Sequence, residues 1–189
     1  MKIAVPKENW ADEARVSVSP DSVKKFIAMG FDVVVESGAG DPSLISDLTL
    51  SEAGAQIVHN GAEAIGEADI ILRVRRPMMA VDGGHDEILM MKPGSILIGN
   101  LAALSNPEQI ELYAKQGLTT FAMELLPRIS RAQSMDVLSS QSNLAGYKAV
   151  LDAAHEYTRA FPMMMTAAGT VPPAKVLVLG AGVAGLQAI

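Results

Sequence analysis

The sequence predicts a doubly wound α/β domain with a mainly parallel sheet over roughly its first two-thirds, and three observations carry that expectation. Short β-branched runs alternate with single helical stretches, the order expected when each strand is returned to the same edge by a helical crossover. Helix starts are written as Ser19-Pro20 and Asn106-Pro107, and helix ends as Gly30 and Gly117. Of 189 residues, 49% are hydrophobic and 19% charged, which is ample for a core covered on both faces.

Taken in order, Lys2 to Val5 is a short apolar strand stopped by Pro6, and the segment to Val18 is polar and irregular. Ser19 and Pro20 open a helix carrying Val23, Phe26 and Ile27. Phe31 to Glu36 reads as a buried strand, broken by Ser37-Gly38-Ala39-Gly40. A helix at Thr49 to Ala53, a strand at Gln56 to His59, a helix at Ala62 to Glu67 and a strand at Asp69 to Val74 follow. The turn Asp82-Gly83-Gly84 leads to a helix ending near Met91, then a strand at Ser95 to Ile98. Asn106 is expected to cap the next helix, after which Thr119 to Met123 returns to β.

Several classes of function are excluded or disfavoured. A net charge of -6 without a Lys/Arg run does not suit a nucleic-acid partner. With no cysteine there is no disulfide or thiolate metal site, and His59, His85 and His155 are too scattered for a zinc cluster. No run of about 18 apolar residues exists to span a membrane.

The densest polar chemistry lies in Pro127 to Val150, which places Arg128, Arg131, Gln133, Asp136 and four serines between a strand and a helix. Two readings fit. Asp136 or a serine can simply cap the helix, or the junction can present these side chains to a ligand. In the long helix that follows, Leu144, Tyr147, Leu151, Ala154, Thr158 and Phe161 share one face, expected to pack into a core. Met163 to Met165 is given no role, and Thr170 to Pro173 reads as a linker.

The second chemical signal is the strand Lys175 to Leu179 running into Gly180-Ala181-Gly182-Val183-Ala184-Gly185, a G-x-G-x-x-G in the setting where it binds a dinucleotide. Gly180 makes the turn, Gly182 lets backbone approach a pyrophosphate, and Gly185 lets strand and helix pack. The acidic residue about 20 positions further on does not occur before Ile189. The chain is therefore expected to be an incomplete piece. Its expected organisation is an α/β domain over 1–126, a loop and interdomain helix over 127–169, and the first βα unit of a truncated Rossmann domain over 170–189.

The opening MKIAVPKE, the Glu13-Ala14-Arg15-Val16 segment, the turn Glu36 to Gly40, the PRISRAQSMD loop and PPAKVLVLGAGVAGLQAI together resemble the alanine dehydrogenase and transhydrogenase N-terminal family. The loop is similar to the branch of proton-translocating NAD(P) transhydrogenase alpha subunits. The resemblance implies an NAD(H)-binding component that forms a homodimer and docks on an NADP(H)-binding domain attached to a membrane proton channel. It would sit on the cytoplasmic side of the inner membrane, held there by partner subunits. It also implies that Arg128, Gln133 and Asp136 align the nicotinamide end for hydride transfer, with Ser139 nearby. Gly180, Gly182, Val183 and Gly185 would hold the diphosphate. The alternatives are an alanine dehydrogenase-like oxidoreductase and a non-catalytic piece retaining only a dimer or partner surface. Against the former, the lysine and histidine of the alanine dehydrogenases correspond here to Arg75 and Asn100. Arg15 is retained, and is expected in a structural ion pair.

Overall fold

The β-branched runs assemble into six parallel strands, the inner ones apolar on both sides and so covered on both, with the two edge strands more exposed. The computed structural model describes residues 1–189 and divides them into two units, Met1–Leu125 and Leu126–Ile189. The first unit holds β1 (Lys2–Val5), β2 (Asp32–Glu36), β3 (Gln56–Val58), β4 (Ile70–Arg75), β5 (Ile96–Asn100) and β6 (Thr119–Ala122). Their order is β3-β2-β1-β4-β5-β6, and every neighbouring pair is parallel. The order reverses between β1 and β4, which puts the crevice of this doubly wound sheet at their carboxyl ends.

Alternation along the strands feeds two core layers. Ile3, Val5, Val33 and Val35 pack on one face with Val23, Leu50 and Ala53, while Ala4, Val34, Ile71 and Leu97 pack on the other with Ile65, Met91 and Tyr113. The crossovers are α1 (Pro20–Ala28), α2 (Asp47–Glu52), α3 (Gly61–Gly66) and α4 (Pro107–Lys115). Ser19 caps α1 as expected, and Ser22 adds the reciprocal bond of a capping box. Asn106 departs from expectation: its Nδ2 turns back to donate to the Ala102 carbonyl at 3.0 Å, so it does not cap α4. The helix expected to end near Met91 is only a 3₁₀ turn, Glu87–Met90. Within it the buried Glu87 carboxylate pairs with Arg73 at 3.2 Å.

Arg73 organises the crevice from beneath. Its side chain is fully buried and lies 3.5 Å from Glu8 and 3.2 Å from Glu87, with Nη1 also donating to the Lys7 carbonyl. Glu8 accepts from the backbone N–H groups of Val74 and Arg75, so the turn after β1 is tied to the end of β4. Burial raises the Glu8 pKa above its ordinary value, and the Arg73 charge and the two N–H donors offset part of that rise.

The second unit consists of a 3₁₀ segment (Ser130–Met135), α5 (Val137–Glu156), a hairpin of β7 (Met164–Thr166) and β8 (Gly169–Val171), and α6 (Val183–Ala188). Four expectations are corrected here. The Lys175 to Leu179 segment joins no ladder, and Leu177 and Leu179 are 82% and 89% exposed. A parallel strand exists only with a neighbour to take its N–H and C=O groups, and residues 126–189 supply none. The apolar stripe on α5 is not core: Leu144, Tyr147 and Leu151 are exposed. α5 packs instead through Gly146, where an added Cβ would run into the Ala184 backbone. The helix also stops at Glu156, leaving Thr158 and Phe161 beyond it. Finally, Thr170 and Val171 belong to β8 rather than to a linker, turned by Gly169 at φ +137°, with the prolines only ending the strand.

Arg73→Met is expected to lower unfolding free energy by about 3–5 kcal/mol, since it leaves buried carboxylates unpaired. A raised folded-state pKa makes ionisation of Glu8 costly, so stability falls as pH rises through that pKa. The variant's deficit in urea unfolding is therefore larger at pH 8 than at pH 5.

Candidate functional site

The carboxyl edge of the first unit is closed by side chains of which the sequence reading singled out only Arg75 and Asn100. Trp10 lies against two guanidinium groups, with Arg75 and Arg76 at 4.4 and 4.6 Å from its ring centroid. Arg75 bonds Asp12 at 2.7 Å, and Arg76 makes a two-pronged pair with Asp82 that raises the arginine's pKa and lowers the aspartate's. The Trp10 indole N–H donates to the Arg76 carbonyl at 3.0 Å. Next to β5, Ala102 adopts φ +50°, and Glu124 secures it by accepting from the N–H groups of Leu101 and Ala103. The Asn100 Oδ1 is buried without a hydrogen-bond partner. Arg75 and Asn100 were singled out from the sequence through the family resemblance, and Trp10 could have been flagged as the single tryptophan beside a polar, irregular segment. Arg15 pairs with Glu13 at 2.6 Å, an ion pair two residues apart that lowers the Glu13 pKa.

In the second unit the polar junction forms a turn with Arg128, Arg131 and Gln133 exposed to solvent. Asp136 caps α5: one carboxylate oxygen accepts from the Ser139 N–H at 2.9 Å and the other from the Ser139 hydroxyl at 2.6 Å. Those two bonds, with a weaker contribution from the nearby Arg128 charge, hold the Asp136 pKa below its ordinary value. The capping reading is thus realised, and a carboxylate with two oxygens retains lone pairs for a further donor. Asp136 and Ser139 are together, Arg128 is within electrostatic reach of them, and the Gln133 side chain projects to solvent from the same turn.

The glycine segment takes the shape its pattern requires. Gly180 sits at φ +119°, a conformation that favours glycine, and a Cβ on Gly185 would collide with the Gly180 carbonyl. Gly182 is the N-cap of α6, and Val183 its first residue. α5, which starts at the Asp136 cap, and α6, which follows the glycine turn, are packed through Gly146 and Ala184. A cavity of about 510 Å³ beside them is lined by Ala149, Val150, Ala153, Phe161, Val176 and Val178 among others and carries no ionisable side chain. The polar chemistry of this unit therefore lies at the helix-opening turns.

A doubly wound parallel sheet, followed by a G-x-G-x-x-G turn opening a helix, defines a dinucleotide-binding class of α/β protein. Residues 4–145 match the family described as alanine dehydrogenase/PNT, N-terminal domain, and residues 149–189 match alanine dehydrogenase/PNT, C-terminal domain. The chain belongs to this family, an NAD-binding oxidoreductase family with a Rossmann-like fold. It is 58% identical, over 189 residues, to an NAD(P) transhydrogenase alpha subunit of Rhodospirillum rubrum, covering 100% of this chain and 49% of that relative. The crystal structure of transhydrogenase from Sinorhizobium meliloti superimposes with a TM-score of 0.91 at 55% identity, over 100% of this chain and 54% of that one. An L-alanine dehydrogenase structure gives a TM-score of 0.80 at 28% identity, over 100% of this chain and 50% of that one. The chain thus spans about half the length of these relatives. No helix is long and apolar enough to cross a membrane.

Asp136→Ala is expected to fray the first turn of α5, read as faster amide exchange at Ser139, whereas Asp136→Asn keeps that amide protected because its carbonyl oxygen still caps. For the native chain, the lowered pKa means the cap's contribution is complete above about pH 4 and is lost as pH falls through the folded-state value.

Proposed function

We propose that this chain is the NAD(H)-binding portion of a transhydrogenase alpha subunit, passing hydride between NAD(H) and NADP(H) bound on a partner domain. The observation that carries the reading is the Gly180 to Gly185 turn, whose backbone leaves open the space that a Cβ would fill and that a diphosphate approach requires. The names of its relatives point the same way, and they supply the expectation of partner subunits. Gly180, Gly182, Val183 and Gly185 would hold the diphosphate. Arg128 would donate to phosphate or carboxamide oxygens, Gln133 would bond a ribose hydroxyl, and Asp136, with Ser139 beside it, would accept from the carboxamide NH₂.

Bound NAD(H) supplies or takes up the hydride, and the residues of this chain fix its position. No general acid or base is required of them, because hydride transfer between two rings depends on distance and alignment. The homodimer and attachment to a membrane proton channel belong to the same proposal. Arg75 favours this reading over alanine dehydrogenase chemistry: it stands where those enzymes place a lysine, and it is engaged by Asp12 and stacked on Trp10.

Residues 1–189 contain no acidic side chain after the glycine turn to take the adenosine ribose. We therefore expect this chain alone to bind NADH weakly, and micromolar affinity in titration calorimetry would contradict that. In the full-length subunit with its partner, Arg128→Ala and Gln133→Ala should each slow single-turnover hydride transfer by roughly 100-fold, the scale of a misplaced reactant, with little change in NADH affinity. Unchanged transfer in both variants would remove the loop from the reaction.

A further inference from the structure

The first unit carries its own cavity, about 350 Å³ in volume, and the transhydrogenase reading makes no use of it. It opens at the carboxyl edge of the sheet. Pro6 lines it from just past β1, Glu36 from the last position of β2, and Asn60 from just past β3, while His85, Glu87 and Met90 close it from the segment after β4. The cavity lies on the β1–β2–β3 side of the strand-order reversal, and in a doubly wound sheet an acidic residue ending the second strand is the group that receives ribose hydroxyls. Glu36 holds that place. Its Oε2 accepts from the Lys7 N–H at 2.7 Å, which fixes the side chain while Oε1 remains to accept. The close approach of α3 depends on Gly61, where a Cβ would lie 3.0 Å from Oε2.

The same cavity lacks what a phosphate needs. The segment from β1 to α1 contains no glycine, and Pro6 and Pro20 interrupt it, so no row of backbone N–H groups is arranged for an anion. Glu36 and Glu87 make the lining acidic, although Arg73 compensates Glu87. Ala62 and Met90 supply accessible apolar surface for a flat ring, backed by the buried Ile65 and Pro6, and Asn60 and His85 supply polar groups near it. The volume is at the small end of the range for ligand sites.

We propose that this cavity binds an uncharged nucleoside, its ribose diol on Glu36 and its base against Ala62 and Met90, as a site separate from the glycine turn of the second unit. Titration of ¹⁵N- and methyl-labelled protein, residues 1–189, with adenosine, AMP and ribose tests it. Adenosine should shift the Glu36, Gly61 and His85 amides and the Ile65 and Met90 methyls along saturable curves. AMP should bind more weakly than adenosine, and ribose should leave the methyls unmoved. Glu36→Gln should weaken adenosine about tenfold, since a charged acceptor is lost. Ala62→Leu, at an exposed lining position where folding is little affected, should abolish binding by filling the cavity. The proposal is overturned by any of three results: no saturable shifts, AMP or ribose binding as tightly as adenosine, or shifts confined to residues 180–185. The last result would concern only the dinucleotide turn, so the two sites succeed or fail separately.

Discussion

The first unit depends on one buried guanidinium. Arg73 points from β4 into the crevice, where Glu8 and Glu87 meet it and the Lys7 carbonyl takes one of its N–H groups. Removing three such groups from water costs several kcal/mol each, and the opposite charges at 3.2 and 3.5 Å offset that cost, with Arg73 Nη1 hydrogen-bonded and its Nε and Nη2 left without a hydrogen-bond partner. Its consequence is geometric. The turn after β1 is tied to the end of β4 through Glu8, which places Trp10 against Arg75 and Arg76, and Glu87 enters the network from the 3₁₀ turn between β4 and β5. The carboxyl edge is thereby closed over the reversal of strand order and left open beside β2 and β3.

That division separates two kinds of chemistry along the chain. In the first unit the carboxyl edge offers carboxylates and no anion cradle, which suits an uncharged ligand. The second unit offers the reverse: a glycine turn free of side chains and a capped helix start with Arg128 and Gln133 projecting from it. Asp136 shows how one residue can satisfy both local structure and a site. Its bonds to Ser139 fix the side chain in place, and a fixed acceptor is more useful to an orienting loop than a mobile one.

The same logic explains why the second unit leaves so much apolar surface uncovered. α5 uses a glycine, not its apolar stripe, to meet α6, and the stripe together with Leu177 and Leu179 remains exposed. An extended β-branched segment with no neighbour leaves its ladder groups and its side chains to solvent. These surfaces carry the character of interior without the covering that would make them so.

The sequence alone determined what local chemistry determines. Alternating β-branched runs and proline-marked helix starts specified the six strands of the first unit to within a residue or two, because the period of burial and the cost of breaking it are written in adjacent residues. The Gly180 to Gly185 spacing specified its own turn, since only glycine tolerates that backbone and that contact. Tertiary structure decided everything that needs a partner distant in the chain. Arg73, Glu8 and Glu87 are ordinary charged residues apart and become one network only when β1 and β4 are neighbours. Asn106 has the right identity for a cap but finds a better acceptor at Ala102, and Lys175 to Leu179 has strand residues but no strand beside it. Periodicity states which face is apolar; only the presence of a second surface decides whether that face is buried.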